Sequence, residues 1–445
     1  MNPHMTEQQP DYAKIAPFHF PPVPVDRVLR DRPNAAPPLT ALRGSSHARA
    51  VNTPVSLASL GSVLLISLAA SAASTGPRFY GDPPDDHHAW AVHDGNRPQP
   101  KTVTPGTFSS PHEAGRPPSD AVVLFDGTDL SQWQGDKAEP AQWLVRDGFM
   151  EVLPGSGQIR TKASFGDCQL HVEFATPSRV EGDGQGRGNS GVFLMGQLEI
   201  QVLDSYQNVT YADGHAGAYY GINPPLALPV RAPGEWQVYD IVFRRPIYQD
   251  GKALDPGFLT VFLNGVLVQD HTPLEGSGGH MGRTKPGPFP PKGPLSLQDH
   301  GNPTRFRNIW YRELPPRAVE GATDGWLTTE VALAKRQQTA AALREAAAKL
   351  SDPANPMPEM LGLFESLVYA PDPTAQQKAE RLAAGYVQGL KGLAPEQLAA
   401  KRNDVRHLRD VFRYLAQWKV LPDTFEPKTV VEQIIKDQRW DQPRR

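Results

Sequence analysis

Cysteine occurs once in this sequence, at Cys168, which excludes an intramolecular disulfide framework and any cysteine-rich zinc or iron–sulfur site. An excess of charge is also missing: 45 Lys and Arg stand against 48 Asp and Glu, a formal net charge of −3. No whole-chain field therefore favours nucleic acid or an anionic membrane. Long hydrophobic runs are scarce. Residues 63–73 (VLLISLAASAA) fall short of the roughly 20 apolar residues of a membrane span, and Ser56, Ser59, Gly61, Ser62 and Ser67 dilute the stretch. What is abundant is glycine (39) and proline (46), about 19% of the 445 residues against about 12% in average usage.

The distribution of that excess divides the chain. Residues 1–40 hold nine prolines and no periodicity, and residues 1–50 read as a disordered N-terminal arm. The segment 51–75 reads as a signal peptide or anchor: no charge lies between Arg49 and Arg78, and Ala70, Ser71 and Ala72 make a small-residue cleavage pattern. A cleaved signal implies an exported, periplasmic or secreted protein; membrane contact would come only through this segment if uncleaved. The 50 or so residues before it are long for a signal n-region, which leaves open a later start or a retained cytoplasmic tail. Residues 76–120 are Pro-rich and polar, a surface lead-in or linker.

From 121 to 314 short strands alternate with Gly, Pro, Asn and Asp turns. In QLHVEFA (169–175), Leu170, Val172 and Phe174 share one face while His171 and Glu173 share the other. The stretch 198–203 alternates in the same way. FLTVFL (258–263), Asn264-Gly265 and VLV (266–268) predict a β-hairpin, since Asn-Gly supplies the positive φ angles of a type I′ turn. Further strands are expected at 121–125, 149–153, 191–195, 236–243, 294–298 and 304–311, about nine in all. That pattern predicts an antiparallel sandwich or barrel. Past Trp326 the last 120 residues contain four glycines, and helices are expected at about 326–350, 357–369, 374–390 and 395–417 within a helical region 326–440.

Several motifs fail on physical grounds. The glycine run 182–188 lacks a following Gly-Lys-Ser/Thr and leads into a strand, so it reads as a flexible loop rather than a phosphate cradle. GNSG (188–191) lacks the Gly-x-Ser-x-Gly elbow of a nucleophilic serine. Asp85, Asp86, His87, His88 and His93 have the right ligand chemistry for a metal but match no closed zinc spacing. No cofactor signature is present, and the sequence shows no metal site.

The strand EIQVLD (199–204) is more informative. Alternation sets Glu199 and Gln201 on one face, about 6.6 Å apart, with Ile200 and Val202 turned to the core. Asp204 has the wrong parity and would face away unless a bulge intervened. A row of carboxylates and amides can bond adjacent sugar hydroxyls, although a solvated outer sheet face has the same pattern. LQDHG (297–301) places Gln298, Asp299 and His300 at a strand end, beside the long Gly/Pro-rich stretch 275–293, which has the profile of an active-site loop. Tyr219, Tyr220 and Trp236 offer stacking faces for the CH side of a sugar ring, with core packing the plainer role for each.

These pieces together resemble the 3-keto-disaccharide hydrolase family. In order they are LFDG (124–127), Asp129-Leu130 and Trp133, Trp143, Asp147-Gly148, GNSG (188–191), EIQVLD (199–204), AGAYYG (216–221), Gly234-Glu235-Trp236, Leu263-Asn264-Gly265, LQDHG (297–301) and FRNI (306–309). One departure is Gln237, where the family usually has Asn. The resemblance implies a concanavalin-like antiparallel β-sandwich (jelly roll) over 121–314, followed here by a smaller α-helical C-terminal region. It implies cleavage of 3-keto-glycosides or 3-keto-disaccharides by elimination across C1–C2 and then hydration. It suggests Glu199 and His300 for the acid and base, Asp299 as orienter of the imidazole, and Asn189, Ser190, Gln201, Asp204, Tyr220, Trp236 and Gln298 as sugar-binding groups. A divalent cation could stabilise the enolate. An ordinary retaining β-glucanase, suggested by the spacing Glu-x-Gln-x-x-Asp, and a non-catalytic carbohydrate-binding module are the rival readings.

Overall fold

Leu170, Val172 and Phe174 leave the strand Cys168–Ala175 on one side and are completely buried. The same alternation in Gln237–Arg244 buries Tyr239, Ile241 and Phe243, and in Phe258–Leu263 it buries Leu259, Val261 and Leu263. In the computed structural model, which describes residues 79–441, these strands lie side by side in an eight-stranded antiparallel sheet. Its order runs Val266–Pro273, Phe258–Leu263, Gln237–Arg244, Cys168–Ala175, Arg305–Glu313, Phe149–Glu151 and Leu144–Arg146, with Val122–Phe125 also paired to Arg305–Glu313. The hairpin expected at Asn264-Gly265 forms with Leu263 opposite Val266 and positive φ at both turn residues, 53° and 80°.

A second, five-stranded sheet is ordered Trp133–Gly135, Ile159–Thr161, Ser296–Leu297, Ser190–Leu194 and Leu198–Val202. Its apolar face, with Val192, Leu194, Leu198, Ile200 and Val202, meets the apolar face of the large sheet in one core. Trp133 is 1% exposed there, and its indole N–H donates to the Leu124 carbonyl at 2.8 Å. Truncation at such a site costs about 3–5 kcal/mol. The architecture is an antiparallel jelly-roll sandwich. It contains more strands than the sequence pattern predicts, because three-residue strands such as Leu144–Arg146 are too short to show alternation.

Six helices follow: Thr329–Lys349, Met357–Tyr369, Pro373–Lys391, Pro395–Ala400, Arg402–Gln417 and Glu426–Asp437. Asp372 caps the third through the Ala375 amide at 2.8 Å, and Pro373 at its first position fixes the start. The segment expected as one helix at 395–417 breaks at Lys401, and Glu426–Asp437 is an addition. That last helix buries Val431 and Ile435, one turn apart, against Phe412 and Leu415. Among the described residues no helix is long and apolar enough to cross a membrane.

The described part of the expected lead-in, 79–120, has no helix or strand but is firmly attached. Asn96 donates to Glu365 (2.7 Å) and Tyr369 (3.0 Å) of the helical region. Residues 103–118 form a strap across the outer face of the large sheet, closed on itself by Thr107 N–H to the Arg116 carbonyl (3.0 Å). The Ser109 hydroxyl donates to Glu173 at 2.6 Å. This cover explains why His171 and Glu173, on the face away from the core, are buried as well. The signal or anchor expected at 51–75 and the arm at 1–50 lie outside the described residues.

Candidate active site

Glu199 and Gln201 share the outer face of the strand Leu198–Val202, as alternation requires, while Ile200 and Val202 enter the core. Their face is roofed by loops, so Glu199 is only 8% exposed and Gln201 1%. A cavity of about 580 Å³ opens above them. Its walls come from four places: Gln185, Gly186 and Asn189 of the glycine-rich loop, Phe193 of the neighbouring strand, Tyr211 and Tyr220, and Gly278, Gly279 and His280 of the long loop, with Gln298 and His300 at the end.

Antiparallel pairing sets Glu199 opposite Phe193 and Gln201 opposite Gly191. The Glu199 carboxyl leans over Gly191, where a Cβ would overlap its Oε1. No hydrogen bond or ion pair among the described residues engages that carboxyl. Burial alone therefore acts on it, disfavours the charged form and raises its pKa to about 8. At neutral pH Glu199 is a protonated acid.

Tyr220 donates its backbone N–H to the Glu199 carbonyl (3.1 Å), which fixes the two side chains near one another. Its phenol shares a 2.8 Å hydrogen bond with that of Tyr211. Burial, the Tyr211 phenol and the Glu199 charge all raise the Tyr220 pKa, so the pair remains neutral and keeps one O–H free to donate.

Gln185, in a short 3₁₀ turn at Gly184–Gly186, joins the site's amides together. Its Oε1 accepts from Gln201 Nε2 at 2.8 Å, its backbone carbonyl accepts from Asn189 Nδ2 at 2.7 Å, and its own Nε2 donates to Thr210 and the Gly214 carbonyl. Gln201 Oε1 in turn accepts from the Val202 N–H. Both amides are thus largely committed within the protein. Gln298 differs, since its Oε1 is buried without a partner and so is the acceptor best placed for a bound hydroxyl.

Of the expected site residues, the structure brings Glu199, His300, Asn189, Gln201, Tyr220 and Gln298 to one cavity. Five others are placed elsewhere. Asp299 does not reach the imidazole: its carboxylate accepts from the Gly157 N–H (3.0 Å) and the Gly301 N–H (2.9 Å), a loop clamp. Ser190, of opposite parity to Gly191, points away and donates to the Gln298 carbonyl at 2.7 Å. Asp204 pairs with Arg187 at 2.6 Å and caps the Tyr206 N–H, in a separate hollow. Trp236 stands at the other sheet, beneath the Arg307 guanidinium 4.2 Å from its ring centre. Tyr219 is a core residue whose phenol donates to the Gly276 carbonyl.

Gln185, Phe193, Tyr211 and His280 are site residues that strand periodicity did not point to. The glycine run that reads as a plain flexible loop supplies Gln185, and the long loop supplies His280 at the rim. No cluster of three or more His, Cys, Asp or Glu suited to a metal ion occurs among the described residues.

A family model described as a 3-keto-alpha-glucoside-1,2-lyase-like domain matches residues 120–312. A Parabacteroides distasonis protein of known structure, proposed to be a glycosyl hydrolase, is 43% identical; the match covers 49% of this chain and 93% of that one, with a TM-score of 0.47. A second from the same organism is 24% identical over 44% of this chain and 99% of its own, TM-score 0.33. A lichenase derived from a mouse hindgut metagenome is 14% identical over 44% and 99%, TM-score 0.24. No curated protein matches.

Proposed function

This chain belongs to the 3-keto-alpha-glucoside-1,2-lyase-like family through residues 120–312, and from that premise we propose that the Glu199 cavity cleaves 3-keto-glycosides by elimination. The observation that carries the reading is that Glu199 is the one carboxyl group among the described residues that line the cavity, and burial favours its protonated form. A retaining glycosidase needs two carboxyl groups about 5–5.5 Å apart. The second candidate, Asp204, is bound to Arg187 outside the cavity. One acid with no carboxylate nucleophile suits a substrate whose own ketone does the activating.

A ketone at C3 acidifies the C2 hydrogen. His300 takes that proton, and the C2–H electron pair becomes the C1=C2 bond as the C1–O bond breaks. The departing oxygen takes the Glu199 proton. Charge that develops on the C3 oxygen meets the free O–H of the Tyr211–Tyr220 pair, a preset donor. Addition of water across C1=C2 returns a proton to C2, places OH on C1 and makes the net change a hydrolysis. Gln298 Oε1 accepts a sugar hydroxyl.

Among the described residues the cavity lining contains no Lys or Arg. A neutral sugar is therefore favoured over a uronate, whose carboxylate would find no cation there. The test is aglycone release from a 3-keto-glucoside and from the parent glucoside. Release from the oxidised substrate alone supports the reading. Release from the plain glucoside points to a glucanase, and sugar binding without release from either points to a carbohydrate-binding module.

A further inference from the structure

The outer face of the large sheet, on the far side of the sandwich core from Glu199, carries a second hollow of about 700 Å³. The strap 103–118 forms its roof, and Gln169, His171, Val238, Asp240 and Trp310 form its floor. We propose that this hollow is a second saccharide site, which holds a neutral sugar ring between strap and sheet and works independently of catalysis.

Its size lies within the range of ligand pockets, about 300–1,000 Å³. At the strap, Phe108 lines the hollow yet is fully exposed. An aromatic ring held out at the mouth of a cavity is a platform for the CH face of a sugar. Opposite it, the floor combines an apolar surface, Val238 and Trp310, with hydrogen-bonding groups that keep spare capacity. Asp240 uses Oδ1 to accept from His171 at 2.7 Å, and no bond among the described residues engages Oδ2. Gln169 accepts from Arg312 through its oxygen at 2.8 Å, which leaves its NH₂ to donate.

Charge separates a sugar from other ligands. Three arginines line the hollow: Arg312 is held by Asp120 at 2.7 Å, and Arg116 and Arg231 have no carboxylate partner among the described residues, so a cation is disfavoured. An anion would face the Asp240 carboxylate, which is 44% exposed at its side chain. A neutral polyol satisfies both signs, because each hydroxyl can donate to Asp240 and accept from a guanidinium. The floor is also rigid. His171 stacks on Trp310 with ring centres 4.9 Å apart and planes within 7°, and Glu173 is held by Ser109, Asn308 and Arg307 at 2.6–2.7 Å. The strap and the sheet are thereby fixed to one another before any ligand arrives, which lowers the ordering cost of binding.

The experiment uses the full chain with cellobiose as the neutral probe and gluconate as the anionic one, followed by calorimetry and ligand-observed NMR. Phe108→Ala and Arg231→Gln should each weaken one class of cellobiose binding at least tenfold while turnover of a 3-keto-glucoside is unchanged. Glu199→Gln should leave that class intact. Phe108 is exposed, so its substitution keeps the fold and the test stays decisive. The proposal is overturned if wild-type protein does not bind cellobiose, if Glu199→Gln abolishes all of the binding, or if neither Phe108→Ala nor Arg231→Gln alters it. Preference for gluconate over cellobiose would overturn it in favour of an organic-anion site. Because binding is read without the oxidised substrate, failure here is distinct from failure of the elimination chemistry.

Discussion

The Glu199 carboxyl occupies the space that a side chain at Gly191 would take. Gly191 and Glu199 lie on adjacent strands, and absence of a Cβ on one is what lets the other lie flat along the sheet. Gly191→Ala should therefore displace the acid without disrupting the ladder, since its backbone needs no left-handed conformation. The expected outcome is a fall in kcat of at least about tenfold, an altered pH profile and an intact circular dichroism spectrum. Wild-type kinetics in the variant would show that the carboxyl position does not govern turnover.

Glu199 also links activity to stability. Its pKa is about 8 in the folded protein and about 4.3 when unfolded. A carboxyl raised in this way opposes folding whenever the unfolded chain would ionise it. The penalty is absent below the unfolded value, grows as pH rises and levels off above about 8. Near pH 7 it amounts to about 3.5 kcal/mol. Glu199→Gln should hence raise Tm at pH 7–8 and leave it almost unchanged at pH 4, while it lowers turnover by orders of magnitude. Elimination in the wild type should decline as pH passes about 8 and the acid loses its proton. A Tm gain that is equal at pH 4 and pH 8 would exclude ionisation as its cause.

His171 works on the opposite face. Burial by itself would lower its pKa, but the hydrogen bonds to Asp240 and Glu173 outweigh that and raise it to about 8. The unfolded value is about 6.5. The stabilisation is complete below pH 6.5 and is lost as pH rises through 8, a change of about 2 kcal/mol. Urea unfolding at pH 6 and pH 9 should show this decline, superimposed on that of Glu199. In a Glu199→Gln background the residual loss between those values should shrink further when His171 is replaced by Gln. The replacement will also destabilise at all pH values, because it removes a partner from buried Glu173.

Much of the sandwich was legible because strand alternation is local. The face shared by Leu170, Val172 and Phe174, the Asn264-Gly265 turn and the pairing of Glu199 with Gln201 on one face all follow from a period of two. The odd parity of Asp204 was legible as well, and it does turn away, into Arg187. That places Asp204 in a hollow separate from the one that holds Glu199, although the family resemblance implies a sugar-binding role for it. The places of Trp236 and Asp299 were not legible for another reason. An aromatic ring or a carboxylate reads the same in sequence whether it meets a ligand, an arginine or a backbone amide, and only the closed fold chooses. Gln185, Tyr211 and His280 arrive on loops, which carry no periodicity that could aim them at Glu199. The helix Glu426–Asp437 was not legible because its short apolar pattern rests on few residues, Val431 and Ile435 among them.

The Asp204–Arg187 pair separates the glucanase reading from the elimination reading. Both side chains are nearly buried, 3% and 13% exposed, and the carboxylate also accepts from the Tyr206 N–H. Removal of one member leaves a buried guanidinium unpaired, at a cost of about 3–5 kcal/mol. Asp204→Asn preserves shape and can still accept from Tyr206, so it should destabilise less than Asp204→Ala while it abolishes any nucleophile at this position. Under the elimination mechanism both variants, assayed well below their lowered Tm, retain turnover within a few-fold of wild type, and Asp204→Asn shows the smaller Tm loss. Under a retaining mechanism Asp204→Asn is inactive at every temperature despite its milder effect on stability. Parallel measurement of Tm and kcat on the two variants therefore decides whether Asp204 is a clamp on the 187–206 loops or part of the chemistry.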